Sequence, residues 1–176
     1  MYPPEELKLR RELGLAMLDF SEKLKETAGP QGMKDDVLRR VATEKFRRAV
    51  EKAADHKIEA SLSWHTLAFW TEEGKERIGY FARALECRRA ETAASPPKTP
   101  TEIWMDAHTQ ADCLFEIGRV HFYEGAFDAA RRFLTKALPL AQAAEALEAA
   151  AGVPNDRLEG RIAELLLQLP EAEDEA

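Results

Sequence analysis

The residues from Ala111 to Leu140 (ADCLFEIGRVHFYEGAFDAARRFLTKALPL) restrict the fold more than any other segment of the chain. Leu114, Ile117, Gly118 and His121 recur at three- and four-residue spacing, which places them on one face of a helix. Gly125 suits a tight connection, and Asp128 just beyond it favours a fresh helix start. Leu134, Ala137 and Leu138 then continue a buried stripe on a second helix, with Phe127 tucked under the turn. Gly118 and Ala130 lack bulk, so each lets a neighbouring backbone approach closely. Together these residues predict two antiparallel helices crossing at small side chains.

That pattern resembles a tetratricopeptide repeat, without a gap from Ala111 to Leu140 and with His121 where the family usually has an aromatic. The resemblance implies an all-α, right-handed superhelix of stacked helix pairs. It also implies a scaffold that grips other molecules and carries no chemistry of its own.

A chain of 176 residues fits one domain and buries roughly 70% of its unfolded surface. The wealth of Ala, Glu, Arg and Leu, with scarcely a run of β-branched residues, favours helix throughout. The formal charge of −7 resides at one end. Residues 141–176 hold nine acids against Arg157 and Arg161, so the preceding 140 residues balance. The last six residues, 171–176, read as an acidic, disordered tail. The N-terminal residues hold no apolar signal region and no segment has the length and apolarity of a membrane span, so a cytoplasmic location is expected. Cys87 and Cys113 sit inside helical patterns and read as small buried fillers.

Periodicity divides residues 1–170 into three helix pairs (about 4–54, 57–93 and 100–151) and a cap at 156–169, about seven helices in a single domain. Pro3 and Pro4 open the first helix, whose stripe of Leu9, Leu13, Ala16, Phe20 and Leu24 stops at Gly29-Pro30. The second helix, from Asp35-Asp36, buries Leu38, Ala42, Phe46, Ala49 and Ala53. Phe81, Ala84 and Leu85 follow Phe46, Ala49 and Val50 by 35 residues, close to the family period. This middle unit departs from the pattern, with His65 in the glycine's place and Arg77 in that of the packed alanine. After the Pro-rich 95–100 segment, Thr99-Pro100-Thr101-Glu102 predicts a capping box and a long helix. Pro139 is expected to kink or break the sixth helix. Asp156 and Glu159 predict another capping box, opening a cap with a stripe of Leu158, Ile162, Leu165 and Leu169.

Catalytic and metal signals are absent from the spacing. The histidines 56, 65, 108 and 121 include no ligand pair at i+4, and the best metal set, His108, Cys113 and His121, points Cys113 away from the other two. No Gly-rich phosphate loop or nucleophile elbow is present, so neither an enzyme nor a cofactor is expected. The Arg doublets splay by about 100° on a helix, and acids interleave with the bases of the second helix, which argues against nucleic acid as partner.

The resemblance does supply a candidate surface. In the family, the first helix of each pair lines a concave groove that holds a peptide or a partner helix. Carried over by position, the third helix offers Glu59, Leu62, Thr66, Phe69 and Trp70; the fifth offers Asp112, Phe115, Arg119, Phe122 and Tyr123. Phe115, Glu116 and Arg119 stand where relatives that clamp a C-terminal carboxylate carry Lys and Asn, so that specificity is not implied. The expected function is a non-catalytic adaptor that binds a segment of another protein or peptide in an aromatic-lined groove. Two other readings are a regulatory sensor of a peptide or small molecule and a homodimerising scaffold.

Overall fold

The computed structural model of the chain describes residues 3–27, 36–72, 74–152 and 157–170. Within them helix follows helix and no strand occurs. The order is α1 (Pro4–Thr27), α2 (Asp36–Asp55), α3 (Ser61–Trp70), α4 (Gly74–Ala94), α5 (Pro100–Tyr123), α6 (Phe127–Glu145), α7 (Glu148–Ala151) and α8 (Leu158–Gln168). Seven of these have ten residues or more, and α7 is a single turn. No described helix is long and apolar enough to cross a membrane.

Local chemistry accounts for most of the boundaries. Thr99 caps α5 as expected: its hydroxyl accepts from the Glu102 amide at 3.2 Å, and the Glu102 carboxylate accepts from the Thr99 amide at 2.9 Å. Gly125 turns the chain between α5 and α6 in the left-handed region, at φ 76°. Gly152 does the same at the end of α7. The third helix begins at Ser61, not at 57, because Lys57 itself turns left-handed at φ 59°. Its first turn is capped from α4, where the Glu91 carboxylate accepts from both the amide and the hydroxyl of Ser61, at 2.8 and 2.7 Å. Pro139 does not break α6, which runs continuously from Phe127 to Glu145. The proline ring is exposed there, so the unmade backbone bond meets water. The expected stops at Gly29-Pro30, the cap residue Asp156 and the acidic tail lie outside the described residues.

The core forms where the apolar stripes meet. Phe20 of α1 stacks on Phe46 of α2 with centroids 4.9 Å apart, and Trp64 of α3 stacks on Tyr80 of α4 at 5.6 Å. The most extensive contact joins α5 and α6. At its centre a Cβ on Gly118 would lie 2.9 Å from Leu134 Cγ, closer than real Cβ contacts come. Ala130, Leu134 and Ala137 are fully buried in the same seam. The cap α8 lays Leu158 and Ile162 against this pair, chiefly α6, and Leu169 just beyond its end is buried with them. α4 links the middle and C-terminal hairpins by packing along α5, whereas α2 and α3 touch sparsely.

Candidate functional site

α3 is the element that most invites a partner. Its ten residues, SLSWHTLAFW, include no Asp, Glu, Lys or Arg. One side is satisfied internally: Trp64, Leu67 and Ala68 are buried, and Thr71 just after the helix donates to the Leu67 carbonyl at 2.8 Å. The other side is not covered, and Leu62 and Phe69 stand 61% and 53% exposed with half-buried Thr66 between them. Spacings of four and three residues place the three on one face. Trp70 turns the other way, edge-on to Phe20 at 6.3 Å with the Arg39 guanidinium 6.0 Å from its ring. It belongs to the junction with the first hairpin.

On α5 the predicted residues separate. Phe115 is corrected: it is 3% exposed, a core residue, because the Arg161 guanidinium of α8 lies 5.0 Å above its ring. Tyr123 is 72% exposed, and Phe122 beside it is half-buried, edge-on to Phe127 at 6.0 Å. Phe127 itself is exposed and does not tuck under the turn. Arg119 is half-buried and donates to Glu116 at 2.6 Å. Arg77 of α4 reaches the same Glu116 oxygen at 2.8 Å, so one buried carboxylate holds two guanidinium groups. Arg119 is therefore a fixed group and not a free handle. Sequence order hid this triad, because Arg77 and Glu116 are 39 positions apart.

A second polar pair ties α3 to α5. The His65 Nε2 and Asp112 Oδ2 atoms are 2.7 Å apart, and the imidazole meets Phe81 edge-on at 5.5 Å. Burial alone would raise the Asp112 carboxyl, but the hydrogen bond from His65 and the charges of His65, His108 and Arg161 outweigh it and hold it below its ordinary value of 3.8. Asp112 is thus engaged within the chain. Glu59, the other acid assigned to the groove, instead accepts from the Arg83 guanidinium of α4 at 2.7 Å. The residues left for a ligand are Leu62, Thr66 and Phe69 on α3 and Phe122 and Tyr123 on α5.

The chemistry of the remaining groups is quiet. Burial pushes the Cys87 and Cys113 thiols up to about 12, which keeps both protonated and poorly nucleophilic near neutrality. His108 stacks on Trp104 at 4.7 Å and His121 stacks on Phe133 at 5.6 Å, the latter in the place an aromatic was expected. Among the described residues no three His, Cys, Asp or Glu side chains gather as metal ligands would.

Sequence reasoning missed one surface. Leu7, Leu15 and Leu18 of α1 are 59%, 56% and 63% exposed, on the side opposite the stripe that packs in the core. Their helical spacing is present in the sequence, but the longer stripe of Leu9, Leu13, Ala16, Phe20 and Leu24 on the opposite face is the more regular signal. Comparison with protein-family models, with curated proteins and with solved structures finds no match to this chain.

Proposed function

We propose that this chain is a tetratricopeptide-repeat-like module, a right-handed array of helix pairs without catalytic activity. It binds a segment of another protein, as a peptide or a helix, along α3 and the C-terminal end of α5. One observation carries this reading: a helix with no Asp, Glu, Lys or Arg turns Leu62 and Phe69 to solvent on one face. Such surface costs solubility unless something covers it, and an apolar partner gains about 25 cal/mol per Å² buried before association costs. Tyr123, exposed at the C-terminal end of α5, offers a flat ring that keeps its hydroxyl wet, a type of side chain enriched at interface centres. The repeat-like character is supported by the close approach at Gly118, the left-handed turn at Gly125 and a first-helix-to-first-helix link, His65 to Asp112.

Selection from a displayed peptide library tests the proposal. Peptides rich in aromatic and aliphatic residues are expected, and Phe69→Glu and Tyr123→Asp should each weaken their binding at least tenfold, about 1.4 kcal/mol. Leu167→Glu, an equally conspicuous apolar position on α8, should leave binding intact. Binders indifferent to both groove substitutions would refute the site.

A further inference from the structure

We propose that the outer face of α1 is a self-association surface on which a second copy of the chain packs its own α1, antiparallel, about a two-fold axis at Leu15. The exposed apolar side chains locate the surface. Of the eleven large hydrophobics exposed among the described residues, Leu7, Leu15, Leu18 and Val41 belong to the α1–α2 hairpin. At the other end of the helix series α8 packs on α6 and α5.

The charges choose the occupant and its direction. Lys8, Leu15 and Glu22 are seven residues apart and form one line down the helix, and all three are exposed. Lys8 and Glu22 are equidistant from Leu15. An antiparallel copy centred there therefore sets Lys8 against the partner's Glu22 and Glu22 against the partner's Lys8, with Leu15 on the partner's Leu15 between them. A parallel copy would stack lysine on lysine and glutamate on glutamate, which is unfavourable. The two-fold pairing is self-complementary, as a closed dimer requires. α1 has 24 residues, so the contact extends over about 36 Å. Gly14, where an added Cβ would meet nothing within 4 Å, leaves room at mid-helix for the close approach of a second helix.

Sedimentation equilibrium over the micromolar range tests this with the full chain. The wild type is expected at twice its 19.8 kDa monomer mass. Leu15→Glu should give a monomer, while the exposed control Phe69→Glu stays dimeric, which separates this surface from the groove proposed above. Lys8→Glu alone and Glu22→Lys alone each set like charges at both symmetry-related contacts and should weaken the dimer about tenfold. An equimolar mixture of the two single variants should recover dimer, because each then finds its opposite charge twice. All these side chains are solvent-exposed, and an unchanged far-UV circular dichroism spectrum confirms folding of each variant. A monomeric wild type, a dimer indifferent to Leu15→Glu, or a mixture that fails to recover would overturn the assignment.

Discussion

At Gly118 a single missing methyl group decides how closely α5 and α6 pack. Gly118→Ala would gain up to about 1 kcal/mol of helix propensity, but overpacking against buried Leu134 costs about 1–3 kcal/mol. A net loss of about 1 kcal/mol is expected from urea unfolding, whereas the same change at Gly79, which has open space around it, should stabilise. Glu116 presents the electrostatic counterpart. Glu116→Ala leaves Arg77 and Arg119 with no common acceptor in a half-buried seam. Breaking a fully buried pair costs about 3–5 kcal/mol, and the partial exposure of both arginines reduces this to about 2–3 kcal/mol. Asp112 contributes to the acid limb. Its pKa is lower folded than unfolded, so it contributes stability above its ordinary value of 3.8 that fades as pH falls from there through the folded value. Asp112→Asn should therefore lower the melting temperature at pH 6 and flatten the slope of stability below pH 4, which scanning calorimetry across that range would detect.

Among elements, those written by local chemistry were legible and those completed by distant packing were not. The start of α5 follows from four consecutive residues, Thr99 to Glu102, and the α8 stripe from a single period, so both could be read without tertiary knowledge. The α3 face was equally open to reading, since Leu62 and Phe69 needed only helical spacing. Phe115 failed because its covering residue, Arg161, is 46 positions away on an element whose docking angle no local pattern encodes. Asp112 failed for the same reason, its partner His65 being 47 positions earlier. Pro139 shows the opposite error, a strong local rule overridden because α6 is held on its other side by Leu134, Ala137, Ala141 and Ala144. Its cost persists, however. Pro139→Ala should restore a backbone bond on the exposed side and raise stability by about 1–3 kcal/mol, visible as a higher thermal midpoint.

For the whole molecule, the uneven packing along the helix series divides labour. The α5–α6 pair with its α8 cover is the densest region, and α3 is held to it through α4 and the His65–Asp112 pair. The α1–α2 hairpin depends instead on Trp70, set edge-on to Phe20 and beneath Arg39, and on a long Arg40–Glu72 contact of 3.8 Å. Trp70→Ala should therefore loosen the N-terminal hairpin first, with amide exchange accelerating over α1 and α2 before α5 and α6 respond. The thin α2–α3 junction also has a mechanical meaning. Stretched between its two ends, the chain would not yield all at once: the first hairpin would peel away at low force while the remainder held, giving two rips in an optical trap. A tether at the N-terminus would thus pass tension to the hairpin before it disturbed the exposed face of α3.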